Sequence, residues 1–134
     1  ELQDASVCRE ECKDIADVVL CDVPCSGLGI IRKKPEIRFK NPDEIAGLPE
    51  IQARILANCA QYVKKGGTLV YSTCTILQRE DDDVVRAFLT ENPEFEAVSW
   101  THPVCGERAD GMVTLLPPVH NTDGFFIAKM HRKV

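Results

Sequence analysis

Two short stretches hold side chains that could do chemistry: Asp22-Val23-Pro24-Cys25-Ser26-Gly27 and Thr73-Cys74-Thr75. A carboxylate and two thiols are the residue types of acid–base and nucleophilic catalysis. Each stretch follows a β-rich run. Val18-Val19-Leu20-Cys21 leads into Asp22, and Thr68-Leu69-Val70-Tyr71 leads into Ser72. The first run fits a parallel strand covered on both faces, and Pro24 and Gly27 cannot continue it. In open α/β sheets, ligands bind just past the carboxyl ends of the strands. The plainer reading is that Asp22 caps its loop and Cys25 fills core.

The segment between the two runs reads as a helix. Pro49 suits a first turn. Ile51, Ile55, Leu56, Cys59, Tyr62 and Val63 recur at helical spacing, and Gly66-Gly67 closes the element. This is the pattern of a βαβ unit, whose right-handed crossover sets its two strands side by side with their ends together. Cys25 and Cys74 are then expected on one rim, near Asp22. Cys59 reads as core.

The totals narrow the function classes. The 134 residues have room for one domain, and 44% hydrophobic with 28% charged residues is a globular composition. No apolar run approaches the roughly 18 residues of a membrane span. Seven cysteines without a CxxC pair fit neither a disulfide framework nor a zinc site. Cys8/Cys12 and Cys21/Cys25 are spaced by four, but no histidine lies near them, so no metal is expected. Free thiols suit a reducing, cytoplasmic setting. A net charge of −5 argues against a stand-alone RNA binder, yet Arg32, Lys33, Lys34, Arg38 and Lys40 cluster against the single acid Glu36. They lie in a long connection, residues 28–48, of the kind that is functional or disordered. The contrary reading is a solvated loop anchored by Ile30, Ile31, Ile37 and Phe39. Glu80 to Asp83 crowd the start of a second helix, where acids complement the positive helix end. Strands are expected near 95–99, 112–116 and 124–130, and His102 and His120 read as loop residues.

The sequence resembles the RsmB/Sun family of RNA (cytosine-5) methyltransferases. The paired Pro24-Cys25 and Thr73-Cys74 motifs carry the likeness. Gly29-Ile30-Ile31-Arg32-Lys33-Lys34-Pro35-Glu36-Ile37-Arg38, Leu77-Gln78-Arg79-Glu80-Asp81-Asp82 and Asp123-Gly124-Phe125-Phe126-Ile127-Ala128-Lys129 support it, so that it covers nearly the whole chain. The family's glycine-rich cofactor loop is absent from these residues. The resemblance implies an α/β fold: residues 1–134 would be the C-terminal half of a Rossmann-like, class I S-adenosylmethionine-dependent methyltransferase domain. Its sheet would be mostly parallel with an antiparallel last strand. Without its upstream half, the strand at 18–22 would be an exposed apolar edge, and the chain would self-associate.

The resemblance also assigns roles. Carbon 5 of cytosine is a poor nucleophile until a thiolate adds to carbon 6. Cys74 would supply that thiolate, Asp22 would orient the base, and Cys25 would assist product release. Asp4, Asp22 and Pro24 would contact the cofactor, S-adenosylmethionine. Arg32, Lys33, Lys34, Arg38 and Lys40 would contact the phosphates of an RNA, 16S rRNA by the likeness, around a flipped base. Two rival readings stand beside this one. A catalytically silent RNA-binding or assembly module on the same fold would need no reactive Cys74. A thiol redox protein would cycle Cys25 and Cys74 through a disulfide, although the lack of CxxC speaks against it. Amino-group methylators share an Asp-x-Pro turn but end it in an aromatic, where this chain has Cys25.

Overall fold

The structure, a computed structural model, describes residues 2–134; Glu1, where the opening segment begins, lies outside the described residues. Strand β1 (Ala16–Asp22) is followed by 3-10 turns at Leu28–Ile30 and Pro35–Phe39. Next come α1 (Pro42–Ala46), α2 (Leu48–Tyr62), β2 (Val63–Thr73) and α3 (Asp82–Glu91). Strands β3 (Phe95–Ala97), β4 (Trp100–His102), β5 (Gly106–Arg108) and β6 (Met112–Leu115) are short. Helix α4 (Pro117–His120) and strand β7 (Phe125–Arg132) complete the chain.

One sheet runs β1-β2-β7-β3, with β6 also paired to β7. β1 and β2 are parallel, and β7 is antiparallel to β2, β3 and β6. Four of the five strands therefore point one way and the last strand runs against them, as the resemblance implied. Because β7 sits inside the sheet, it forms three antiparallel ladders. Helix α2 packs on β1, β2 and α3, so both long helices share a face. Leu56, Val85 and Phe88 meet Leu69, Tyr71, Phe126 and Met130 there in the core. Cys59 is buried among them.

β1 lies at the edge of the sheet, but it is not covered on both faces as its apolar run suggested. Cys21 is buried, but Val18 and Leu20 on the opposite face are 64% and 67% exposed. The continuous apolar run is thus covered on one face and bare on the other. In sequence it reads like a strand buried on both sides, because an apolar run does not say which neighbours are present. The remaining differences are local. Val63 already belongs to β2, and Gly66, at φ +79°, shapes the irregular start of that strand instead of closing the helix. The connection 28–48 is folded into turns and a short helix, α1, capped by Asn41. Residues 100–108 form a separate hairpin in which Trp100 Nε1 donates to Gly111 O.

Candidate active site

The parallel register of β1 and β2 places Asp22 beside Ser72. Both strands stop at one rim. Ser72 Oγ donates to Asp22 Oδ1 at 2.8 Å, which fixes the carboxylate at the strand end. Beyond it the two loops converge, and Cys25 Sγ lies 3.1 Å from Cys74 Sγ. The thiols expected on one rim are therefore in direct contact. Burial, and then the hydrogen bond to Cys74, push the Cys25 thiol up to about 12, so Cys25 keeps its proton at neutral pH.

Several bonds hold the loops together. Val23 N–H donates to Ser72 O at 3.2 Å and Gly29 N–H to Cys74 O at 3.0 Å. The Ser26 and Thr75 hydroxyls share a 2.8 Å bond. Gly29 must lack a side chain, since a Cβ there would come within 2.1 Å of Gly124 O and 2.8 Å of Cys74 O. Gly124 N–H donates to Gly29 O at 2.8 Å, which ties the approach to β7 into the same rim.

Two residues read as ordinary helix-start acids are part of this frame. Glu80 and Asp81 are 0% and 1% exposed. Thr73 Oγ1 donates to Asp81 Oδ1 at 2.6 Å, and Ser26 N–H donates to Glu80 Oε2 at 2.9 Å. Asp82 and Asp83 do occupy the first turn of α3. Burial raises Asp81 to about 7, against the lowering effect of the Thr73 bond. Gln52, buried between the two loops, was also missed. Its sequence signal was a polar residue three and four positions before Ile55 and Leu56, on the apolar stripe of α2.

A cavity of about 370 Å³ opens on the thiols, lined by Cys25, Cys74, Ile30, Lys34, Ile37 and Lys40, among others. The basic cluster divides around it. Lys34 and Lys40 face the cavity, and Lys40 Nζ also donates to Ser26 O at 2.8 Å. Arg32 and Lys33 pair with Asp123, and Arg38 Nε donates to Pro35 O at 3.3 Å while lying over the Phe39 ring. The loop is thus both a basic rim and a structural strap. His102 is buried on β4, with Nδ1 accepting from Val104 N–H and Cys105 N–H, and His120 Nδ1 accepts from Leu116 N–H; none of these bonds involves Cys25 or Cys74.

A second groove, about 440 Å³, runs along the bare face of β1 and includes Asp4, Arg9, Ile15, Val18, Leu20 and Tyr62. Asp4 accepts from the Ser6 N–H and hydroxyl, which together hold its carboxyl below the usual range. An apolar wall with a carboxylate acceptor suits the flat heteroaromatic end of an adenosyl group. Asp22 and Pro24, at the strand end, are not among the residues that line this groove. Among the described residues there is no cluster suited to a metal ion and no helix long and apolar enough to cross a membrane.

Residues 2–131 match the family model described as 16S rRNA methyltransferase RsmB/F. A Bacillus subtilis (strain 168) protein named "Probable ribosomal RNA small subunit methyltransferase B" is 47% identical over 123 residues, which are 87% of this chain and 28% of that protein. Ribosomal RNA small subunit methyltransferase B of Thermus thermophilus is 41% identical over 87% of this chain and 29% of its own length. Among solved structures, PH0851 superposes with a TM-score of 0.83 at 36% identity, over 90% of this chain and 27% of that one. NSun6 from Pyrococcus horikoshii, solved with SFG, gives 0.78 at 25% identity, over 97% and 33%. The chain spans less than a third of the length of these two curated relatives.

Proposed function

The chain belongs to the 16S rRNA methyltransferase RsmB/F family, and from that premise we propose that it is the thiol-bearing part of an enzyme that methylates carbon 5 of a cytosine in RNA. The substrate is small-subunit ribosomal RNA, and the setting is the cytoplasm. The contact of Cys25 with Cys74 at 3.1 Å, at the mouth of a cavity with Lys34 and Lys40, is the observation that carries this reading.

Cys74, as the thiolate with its proton lost to solvent, adds to carbon 6, and the electrons of the 5,6 double bond make carbon 5 nucleophilic. Asp22, fixed by Ser72, holds the N3/N4 edge of the base. After carbon 5 is methylated its proton passes to a base, the double bond re-forms, and the carbon 6–sulfur bond breaks with its electrons returning to Cys74. Cys25 keeps its proton and donates a hydrogen bond from its S–H to that sulfur as it leaves. S-adenosylmethionine, when bound, supplies an electrophilic methyl on a positive sulfur. Asp4, Asp22 and Pro24 would hold part of it, and the family's glycine-rich loop, which these residues lack, would hold the rest. This chain alone therefore binds the cofactor weakly or not at all, and calorimetry showing micromolar affinity would overturn that. Lys34 and Lys40 meet backbone phosphates beside the flipped base, with Arg32, Lys33 and Arg38 on the outer rim.

The test is a chimera in which this chain replaces the matching segment of the Bacillus subtilis relative. Cys74→Ser is expected to abolish methylation. Cys25→Ala is expected to trap RNA covalently through Cys74, visible as a shifted band in denaturing electrophoresis, and the double variant to trap none. Asp22→Asn is expected to slow the chemistry with the fold intact. A band that survives Cys74→Ser and disappears in Cys25→Ala would reverse the two roles. The short Sγ–Sγ contact also favours a second reading, a redox dithiol. A chimera inactive in methylation whose Cys25–Cys74 pair oxidises and reduces reversibly would select it, and an inactive chimera that binds RNA without such cycling would be a silent binding module.

A further inference from the structure

The hydrogen bonds of the Glu80 and Gln52 side chains go to neither thiol, yet they grip the turn that carries Cys25 from both sides. Glu80 Oε2 accepts from Ser26 N–H, the amide that follows Cys25, at 2.9 Å. The same oxygen accepts from Gln52 Nε2 at 2.9 Å. Gln52 Nε2 also donates to Pro24 O, the carbonyl that precedes Cys25, at 3.0 Å. The two peptide groups flanking Cys25 are thus tied to one carboxylate–carboxamide pair. That pair is seated on the strand that leads into the other thiol, because Tyr71 Oη of β2 donates to the backbone oxygen of Glu80 at 2.6 Å.

The pair is costly as a purely structural device. Glu80, Gln52 and Ser26 are each 0% exposed, and Glu80 Oε1 and Gln52 Oε1 find no hydrogen-bond partner among the described residues. Buried acceptors left unpaired destabilise a fold, and apolar side chains of similar size would pack there without that cost. What apolar side chains would lack is an acceptor for the Ser26 amide and a donor for the Pro24 carbonyl. The backbone on either side of Cys25 would then be free to drift from β2.

We infer that Glu80, acting through Gln52 and the backbone of Pro24 and Ser26, is a positioning residue that sets the Cys25 thiol against Cys74. Its use in catalysis rests on the reading above, in which Cys25 assists release. Geometry at a reacting pair is worth much, since a displacement of about 1 Å can cost on the order of a hundredfold in rate.

The experiment uses the chimera and two readouts. The first is the equilibrium with glutathione, in which the Cys25–Cys74 dithiol and one oxidised glutathione give the protein disulfide and two reduced glutathiones. It is followed by mass mapping of the linked peptides, and it reads thiol proximity without any methylation. Glu80→Ala is expected to lower the apparent effective concentration of the pair by roughly tenfold or more. The second readout is turnover. In Glu80→Ala, kcat falls, KM for RNA stays within about twofold, and the covalent RNA complex accumulates as slow release requires. Glu80→Gln is expected to restore both, because its carboxamide oxygen accepts the same two bonds and its NH2 offers a donor to Gln52 Oε1. If Glu80→Ala does not fold, Gln52→Met, which keeps Glu80 and releases the Pro24 carbonyl, is expected to shift the glutathione equilibrium in the same direction. An unchanged equilibrium in the folded variant overturns the inference, whatever methylation does. A shifted equilibrium in a chimera whose methylation survives Cys74→Ser supports the clamp and overturns the covalent reading instead.

Discussion

The thiol rim and the outer face of β1 belong to the same stretch of chain but are finished to different degrees. At the rim, Ser26 is fully buried and its amide, carbonyl and hydroxyl all have partners. A few residues earlier, Val18 and Leu20 stand about two-thirds bare, beside a groove reaching to Asp4. The rim is held by groups that all lie within this chain, whereas the strand face is apolar and bare. On the proposed function, the geometry of the thiol pair would be set by groups of this chain, whereas the groove beside Asp4 would hold only part of a cofactor.

The contrast predicts which changes matter where. Cys74→Ser should cost the most, lowering methylation by the chimera at least about a thousandfold, because a hydroxyl cannot replace a thiolate near neutral pH. Retained activity above a tenth of the parent would break the assignment of chemistry to the rim. Gly29→Ala comes next. Its Cβ would drive into the Gly124 and Cys74 carbonyls, and the expected loss is about 3 kcal/mol of stability, read by urea denaturation. A variant as stable as the parent would mean the rim is looser than its contacts imply. The outer face should respond differently. The isolated chain is expected to self-associate at high concentration, and Val18→Lys with Leu20→Lys to weaken that association tenfold or more in sedimentation. A parent chain that stays sharply monomeric would remove the idea that this face seeks a cover.

The smallest effect concerns acid in the frame. Asp81 has its folded pKa raised by burial to about 7, so the native state holds a proton that the unfolded state releases. Stability should then fall as pH rises from about 4 to 7 and level off above, by on the order of 1 kcal/mol between pH 5 and 8. Asp81→Asn keeps an acceptor for the Thr73 hydroxyl and should flatten that slope. A slope that persists in Asp81→Asn would locate the titration elsewhere.

Much of the rim was legible because its signals are local. A strand ending in Asp22, a proline break and a thiol fall within eleven residues, and a second strand with a thiol at its end repeats the pattern. The periodicity of α2 supplied the crossover that joins them. The frame beneath was not legible, for two physical reasons. Acids at a helix start are favourable when exposed, so nothing in Glu80-Asp81-Asp82-Asp83 separates the two that turn inward from the two that do not. Long-range pairings such as Arg32 and Lys33 with Asp123 leave no local trace, and the basic loop therefore looked freer than it is. The one-sided cover of β1 escaped for the same reason, since Val18 and Leu20 are apolar whether or not a neighbour is present.

The place of β7 constrains how the molecule can be made. It is the last strand of this chain, yet it lies between β2 on one side and β3 and β6 on the other, with Thr68 paired to His131 and Phe95 to Arg132. A growing polypeptide therefore cannot close this sheet as it emerges. The β1-α2-β2 unit can form early, but one edge of β2 stays open until residues 125–132 have left the ribosome, which is a window for wrong pairing. The Gly29–Gly124 backbone contact closes with that same insertion. The thiol rim therefore cannot take its final form before β7 is inserted, and a chain stalled before Phe125 would carry both cysteines without the Gly29–Gly124 bond.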